Sequence, residues 1–363
     1  MRIQLRASMS RVTYWIAYCK VTRMVDVDRL KIDGGIPNRL EQAAEAAGAL
    51  EHEGYDGGWS FETSHDPFLP LLLAAEHTSR LELGTNIAVA FARNPMIVAN
   101  VGWDLQAYSK GRFILGLGTQ IQPHIEKRFS MPWSHPARRM REFVAALHAI
   151  WSAWHDGTKL RFEGDFYTHK IMTPMFTPEP HPYPEPKIFL AAVGEAMTEM
   201  CGEVAEGHLG HPMVSQRYLN EVTMPALLRG MQRTGRDRAD FDVAGEVMVA
   251  TGENDAELAA AMSATRKQIA FYGSTPAYRA VLELHGWGDL HTELNVLSKQ
   301  GEWDAMGSLI DDDMLAAFAV VGPVDQVGAA LRSRCEGVVD RVLPIFYGAS
   351  QGCITAVLKE FRQ

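Results

Sequence analysis

The sequence predicts an α/β fold, a (β/α)8 barrel with insertions after its strands. Short β-like runs alternate with amphipathic helical runs from about Leu30 onward, and a helix between consecutive strands implies a parallel sheet. The longer excursions follow strands, where barrel enzymes carry their active-site loops. Because a doubly wound sheet shows the same alternation, barrel closure is inferred from the position of these loops.

The first half of the chain contains strand–helix units marked by turn and capping signals. The predicted strands are Leu30–Gly34, Asp56–Phe61, Leu81–Ala90 and Arg112–Gly118. The helices after the first three are predicted to open at Asn38, Pro67 and Pro95, since proline and asparagine favour helix starts. Glu41 stands three residues after Asn38 as the partner of a capping box.

The second half opens with the clearest helix, Pro136–Trp154, whose apolar residues recur at the spacing of one buried face. Repeated prolines then mark an irregular excursion that contains a predicted hairpin at Lys159–His169. A further long insertion follows the helix that begins at Asp255. The remaining predicted strands are Lys187–Ala192, Gly207–His211, Asp242–Thr251 and Val339–Phe346.

Composition excludes several classes of protein. The chain has 363 residues, 47% of them hydrophobic, which is enough for a large core. A net charge of −9 argues against nucleic acid as a partner, and no apolar run is long enough to span a membrane. The 4 cysteines lack CxxC spacing, so we expect reduced thiols in a cytoplasmic protein and no metal site.

The first 23 residues differ in charge from the rest of the chain. Their only charged residues are basic: Arg2, Arg6, Arg11, Lys20 and Arg23. No small-residue cleavage site follows their apolar stretch, which argues against a secretory signal. We therefore expect residues 1–23 to be a disordered extension and residues 24–363 to form the barrel.

Two glycine-containing segments are candidate ligand sites. The segment Gly116–Gln120 lacks the third glycine and the distal acid of a dinucleotide fingerprint, but it suits a strand end that approaches a flat ligand. Gly194-Glu195 opens a helix, whose unpaired N–H groups suit a phosphate. An ordinary strand-to-helix turn is the alternative for Gly194.

Candidate acid–base residues follow the predicted strands. Glu62 and His65 come after the second strand, whereas Asp66, which precedes Pro67, is more simply the cap of the next helix. His211 lies at the end of its strand and so at the barrel mouth. The aromatic residues of the late insertion form either a lid over the mouth or the insertion's own core: Tyr272, Tyr278, Trp287 and Trp303.

Four segments carry a resemblance to a known family: Gly54–Glu62, Leu83–Ala90, Gly111–Thr119 and Phe189–Gly194. They resemble luciferase-like monooxygenases, and more narrowly the coenzyme F-420-dependent oxidoreductases of that superfamily. Ile269–Tyr278 is similar to an actinobacterial-type subgroup. The resemblance runs from about Leu30 to Tyr347. It implies a (β/α)8 barrel that binds coenzyme F-420, an 8-hydroxy-5-deazaflavin, with flavin mononucleotide (FMN) as the alternative.

The resemblance also implies roles for individual residues. Glu62 matches an acid near the hydroxyl of the deazaflavin ring. Asn86-Ile87 matches a bulge in the third strand where the family holds a non-proline cis peptide against the ring. The positions that match the ring and ribityl contacts and then the phosphate-binding turn are Thr119, Gln120 and His124, followed by Val193, Gly194 and Glu195.

One departure from the family concerns the sugar-phosphate dehydrogenases of this superfamily. The resemblance places their catalytic histidine and glutamate at Thr63 and Ile121 of this chain, so that acid–base pair is absent. The remaining candidates for a proton donor or acceptor are His65, Asp33, His211 and Glu62. The apolar flank of Ala90, Phe91 and Ile121 favours a substrate less polar than a sugar phosphate.

The expected function is hydride transfer between the deazaflavin and a small organic substrate, an alcohol, a carbonyl compound or an activated double bond. An FMN-dependent monooxygenase of the same fold is the alternative enzyme. A non-catalytic deazaflavin-binding protein is the alternative from another class, motivated by the missing histidine–glutamate pair. The expected partners exclude nucleic acid and membrane, and a homodimer is left open.

Overall fold

The computed structural model describes residues 30–363, and the predictions for residues 1–23 lie outside them. The strands are β1 Lys31–Ile36, β2 Gly57–Ser60, β3 Glu82–Thr85, β4 Ala88–Val89, β5 Phe113–Gly118, β6 Phe162–Glu163, β7 Thr168–His169, β8 Lys187–Ala191, β9 Gly207–Gly210, β10 Asp242–Ala250, β11 Ala319–Val321 and β12 Arg341–Phe346.

The α-helices follow these strands in the order that a barrel requires. They are α1 Leu40–Glu53, α2 Leu69–His77, α3 Pro95–Tyr108, α4 Gln122–Lys127, α5 Pro136–Asp156, α6 Glu195–Val204, α7 Gln216–Tyr218, α8 Met224–Thr234, α9 Asp255–Gly273, α10 Arg279–Leu284, α11 Gly288–Gln300, α12 Trp303–Ser308, α13 Asp312–Phe318, α14 Val327–Cys335 and α15 Gln351–Phe361. A π-helical turn, Leu219–Thr223, joins α7 to α8.

A closed parallel barrel forms the centre of the fold, which confirms the predicted class. Its ring runs β1-β2-β3-β5-β8-β9-β10-β12 and closes because β12 pairs with β1. Each predicted strand corresponds to one member of this ring. The sequence did not predict β11, which pairs with β10 outside the ring, and the excursion after α5 contains the predicted hairpin as the antiparallel pair β6–β7.

The helix starts at Pro95, Pro136 and Glu195 are confirmed, but the capping box at Asn38 is wrong. Helix α1 begins at Leu40 without a side-chain cap. Asn38 instead donates from Nδ2 to the Thr63 hydroxyl at 2.6 Å. The Asn38 side chain therefore bonds to the loop after β2 and does not cap α1, the role that the local sequence predicts for it.

The barrel interior changes character along its axis. An ion-paired layer of Asp33, Glu82 and Arg341 lies toward the amino ends of the strands. Above it, Trp59, Phe189 and neighbouring apolar side chains form a separate small core. This apolar middle layer separates the ion-paired layer from the carboxyl ends of the strands.

The long insertion after α9 contains the helices α10–α13 and packs on α9 through a second hydrophobic core. Trp287 belongs to that core beside His285 and Phe318. Tyr272 and Tyr278 also pack against this core, and both contact His211 at the end of β9. The insertion's own core is thus observed for these tyrosines and Trp287, and a lid over the mouth stays a prediction.

Candidate active site at the barrel mouth

A cavity of about 430 Å³ opens where the carboxyl ends of the barrel strands meet. Its size is typical of a pocket for a small organic molecule. The residues that line it are Phe61, Glu62, Thr63, Asn86, Ile87, Gln120, Ala191, Leu209, Gly210, His211, Pro212, Glu246, Tyr272, Ile345 and Tyr347. The structure thus brings together Glu62, Asn86, Ile87, Gln120 and His211 from the predicted set.

The third strand bulges at the mouth, as predicted. Strand β3 leaves its ladder with β5 after Gly84, and pairing resumes at Ala88 on β4. One extra residue is thereby inserted on the β3–β4 side, which is the definition of a bulge. The peptide between Asn86 and Ile87 is cis, which confirms that prediction.

The glycines of β5 accommodate this bulge. Thr85 donates its hydroxyl to the Gly116 carbonyl at 2.6 Å and accepts the Gly116 N–H at 3.0 Å. A Cβ on Gly118 would stand 2.8 Å from side-chain carbons of Ile87. Gly116 and Gly118 are therefore small because Thr85 and Ile87 of the bulge pack against them. From the sequence alone, these glycines are expected to contact a flat ligand.

Glu62 is fixed at the mouth by two donors. The Val89 N–H donates to Oε2 at 2.7 Å and the Arg93 guanidinium donates to the same oxygen at 2.6 Å. Its side chain is only 6% exposed. Arg93 also pairs with Asp66, which accepts the Phe68 N–H at 2.9 Å. This arrangement holds the Glu62 carboxylate at the cavity wall.

Helix α2 begins at Leu69 with Phe68 as its N-cap and no side-chain cap. The predicted helix start at Pro67 with Asp66 as its cap is therefore wrong.

Glu246 was missed by sequence reasoning. It lies on β10 with its side chain in the cavity, and Asn86 donates from Nδ2 to its Oε1 at 2.6 Å. Burial raises the pKa of Glu246 to about 8, and the Asn86 hydrogen bond opposes part of that rise. Its signal in the sequence is that it is the one charged residue between Val243 and Ala250 in an otherwise apolar strand.

His211 lines the cavity as a neutral ring. Its Nδ1 accepts the Met213 N–H at 3.1 Å, which leaves Nε2 as the protonated nitrogen. The ring stacks on Tyr278 at 4.4 Å and meets the edge of Tyr272 at 4.6 Å. Burial lowers the pKa of His211 to about 3. His211 can therefore donate a hydrogen bond to a ligand, but it is not a cationic acid at neutral pH.

Asp33 does not fit the role of a proton donor, and we withdraw it. Its side chain is 1% exposed and forms a two-bond ion pair with Arg341, with both distances 2.8 Å. This pair lies below the layer of Trp59, away from the mouth. Asp33 lies on a barrel strand as predicted. Its partner Arg341 is 308 residues away in the sequence, so the residues around Asp33 could not predict this ion pair.

Two predicted histidines lie outside the cavity. His65 is exposed in the loop after β2, and His124 is exposed on α4. Neither belongs to the cavity lining. The apolar flank is also revised, because Ala90 and Phe91 are fully buried in the core and Phe91 lies under the Arg139 guanidinium at 4.4 Å. Those two residues give no evidence on the substrate.

The loop after β5 is held by its own polar groups. Thr119 donates its hydroxyl to the Gln120 carbonyl at 2.9 Å. Gln120 has a φ of 60°, and its Oε1 accepts the Ile121 N–H at 3.0 Å. Gln120 reaches the cavity, whereas Thr119 is not part of its lining. Their contacts with a coenzyme stay predictions.

The start of α6 is open, as a phosphate site requires. Gly194 stands at the N-cap without a side-chain hydrogen bond, and a Cβ there would meet nothing within 4 Å. The Val193 carbonyl accepts the Tyr218 hydroxyl at 3.2 Å, and the Glu195 carboxylate is paired with Arg229. The turn therefore offers its backbone N–H groups, while the Glu195 charge is compensated by a cation.

Comparisons with known proteins identify the family of the chain. The profile of luciferase-like monooxygenases matches residues 24–341. The chain belongs to the luciferase-like monooxygenase family. An uncharacterized protein of Mycobacterium tuberculosis is 80% identical over 335 residues, which are 92% of this chain and 98% of the relative.

One further relative and one solved structure of similar fold carry functional names. The 5,10-methylenetetrahydromethanopterin reductase of Methanolobus tindarius is 28% identical over 305 residues, 83% of this chain and 88% of the reductase. The solved structure of the coenzyme F-420-dependent tetrahydromethanopterin reductase of Methanopyrus kandleri superposes with a TM-score of 0.72 at 19% identity. It covers 92% of this chain and 97% of the reductase.

The luciferase-like family uses coenzyme F-420 or FMN, and the residues present fit a flavin-type coenzyme. The open N-terminus of α6 suits its phosphate, and the mouth cavity, with Ile87 and Ala191 in its wall, suits a flat ring. Within residues 30–363, no group of three or more metal-ligating side chains could hold a metal ion. In the same range, no helix is long and apolar enough to cross a bilayer.

Proposed function

We propose that this luciferase-like protein transfers a hydride between coenzyme F-420 and a small organic substrate, with an alcohol and its carbonyl compound as the first pair to test. The observation that carries the proposal is the mouth cavity. It joins an apolar wall at Ile87 and Ala191 to the polar side chains of Glu62, Asn86 and Glu246. Such a site can hold a ring and a substrate side by side while a proton is moved.

The choice of a deazaflavin over FMN is supported by relatives. The 28% identical enzyme of Methanolobus tindarius is named as a reductase of a methylene-pterin, and the solved Methanopyrus kandleri reductase is named as coenzyme F-420-dependent. Glu62, in the position that the resemblance assigns to the deazaflavin ring hydroxyl, lies at the cavity wall. A deazaflavin supplies hydride transfer and reacts poorly with oxygen.

The protein's own contribution to the reaction follows from its fixed groups. Glu62 is anchored by Arg93, so it can orient a ring edge without moving. Neutral His211 can donate from Nε2 to a substrate oxygen. The aromatic side chains of Tyr272, near the end of α9, and Tyr347, directly after β12, also line the cavity.

Turnover with oxidised coenzyme F-420 tests the proposal. The purified chain is mixed with the coenzyme and a series of primary and secondary alcohols, and the visible absorbance of the oxidised coenzyme is followed. We expect its loss with at least one alcohol, and transfer of deuterium from the carbinol carbon to the coenzyme. Transfer of an oxygen atom from O2 into an organic product in the presence of reduced FMN would instead establish the monooxygenase. Tight coenzyme binding without turnover of alcohols, aldehydes or enones would support the non-catalytic deazaflavin-binding protein.

The homodimer stays a prediction. Light scattering of the purified chain tests it directly, and a mass of one chain would contradict it.

A further inference from the structure

We propose that Glu246 is the residue that gives a proton to the substrate oxygen during carbonyl reduction, and takes it back during alcohol oxidation. The assignment rests on the proposed hydride transfer, and it names the side chain that supplies the proton accompanying the hydride. It begins from placement: the Glu246 side chain lines the mouth cavity that also holds Ile87, and Asn86 donates to its Oε1 at 2.6 Å.

Glu246 has a neutral hydrogen-bond partner, Asn86, whereas the other acids of the barrel interior are paired with cations. Asp33 is paired with Arg341, Glu62 with Arg93, and Glu82 with Arg341 and Lys31. Among the described residues no cationic side chain forms an ion pair with Glu246. Glu246 is half-buried in the cavity wall. A carboxyl group in this position that receives only a neutral amide favours its protonated form, because the charged form is poorly solvated.

The other polar groups of the cavity are poor proton donors. His211 is a neutral ring whose Nδ1 already accepts a hydrogen bond. The Glu62 carboxylate is bound to Arg93. Burial raises the pKa of the Tyr272 and Tyr347 phenols above their ordinary range. Glu246, with a pKa raised to about 8, is the cavity group matched to proton transfer near neutral pH.

The step balances with a reduced deazaflavin as the hydride source. The substrate carbonyl carbon gains a hydride, its C–O π bond breaks, and the oxygen takes the proton of the Glu246 carboxyl. The product is an alcohol and the coenzyme is oxidised by two electrons. The Glu246 carboxylate is left accepting from Asn86 Nδ2, and it regains a proton from solvent. The reverse sequence oxidises an alcohol.

Ionisation of Glu246 also affects stability of the protein without coenzyme. The ordinary glutamate pKa is 4.5 and burial raises that of Glu246 to about 8. Between these values the folded chain holds a proton that the unfolded chain has released, so folding stability falls as pH rises through this window. The titratable groups facing Glu246 from other elements are Glu62, His211, Tyr272, Tyr278 and Tyr347.

Glu246→Gln, which keeps the shape and loses the proton, tests the assignment. Its matched control is Glu76→Gln, an exposed position on α2. We expect Glu246→Gln to bind coenzyme F-420 within about twofold of wild type and to reduce kcat by about 10²–10⁴-fold. In the direction of carbonyl reduction, where Glu246 acts as the acid, the variant should also lose the alkaline limb of the kcat profile. Glu246→Asp, which restores a carboxyl group, should recover part of kcat.

The second readout needs no coenzyme. From about pH 5 to about pH 8, Tm of wild type and of Glu76→Gln should fall more than Tm of Glu246→Gln. A Glu246→Gln variant with wild-type kcat, pH profile and coenzyme affinity would overturn the assignment and leave the proposed function standing. A wild-type chain that binds coenzyme but transfers no hydride would overturn both.

Discussion

Replacing Arg341 with methionine is expected to destabilise the protein by about 3–5 kcal/mol, because it leaves a buried carboxylate without its cation. Arg341 is fully buried and donates two hydrogen bonds to Asp33 and one to Glu82. Its guanidinium also lies over the Trp59 ring at 5.3 Å. The unfolding midpoint in urea measures the loss.

The double variant Asp33→Leu/Arg341→Met is the control for this prediction. It removes both charges, and Glu82 keeps Lys31 as a partner at 2.9 Å. Replacing a buried pair by apolar side chains is often close to neutral, so we expect most of the lost stability to return. Coenzyme affinity should match wild type, because the pair lies below the mouth. A single variant that costs less than about 1 kcal/mol would contradict the account of this pair.

Gly194→Asp is expected to separate coenzyme binding from stability. Gly194 has φ −69° and ψ 143°, and the space around its Cβ position is empty. Aspartate at such an N-cap stabilises a helix by capping its first turn. The same carboxylate repels a coenzyme phosphate, so affinity for F-420 should fall about 100-fold or more, which corresponds to about 2.7 kcal/mol.

The neutral variant Gly194→Asn is the matched control. It has almost the same shape and capping ability but no charge, so its loss of affinity should be much smaller than that of Gly194→Asp. Coenzyme fluorescence measures affinity and thermal melting measures stability. Equal affinity for the two variants would show that charge at this turn is irrelevant, and the phosphate would then bind elsewhere.

The fold could be predicted because its signals are local. Proline in the first turn marks the starts of α3 and α5, and alternating apolar runs mark the barrel strands. The helix start at Glu195 was likewise predicted from a short segment, whereas the bulge at Asn86-Ile87 was predicted through the family resemblance. Short β11 was missed because its length gives no period to detect.

The site could be predicted only in part because its decisive contacts are distant in sequence. Asn86 and Glu246 are 160 residues apart, and Asp33 and Arg341 are 308 apart. Nothing near Asp33 reveals the arginine that neutralises it, and nothing near Glu246 reveals that it lacks one. A lone acid in an apolar strand, as at Glu246, is the signal that sequence reading should have weighed.

Equilibrium binding of coenzyme F-420 and of FMN to the purified chain tests the central claim most directly. Each coenzyme is titrated with protein and its fluorescence is followed. The account predicts that F-420 binds at least about tenfold more tightly than FMN, a difference of about 1.4 kcal/mol, and that Gly194→Asp loses this binding. Tight binding of FMN with no binding of F-420 would contradict it.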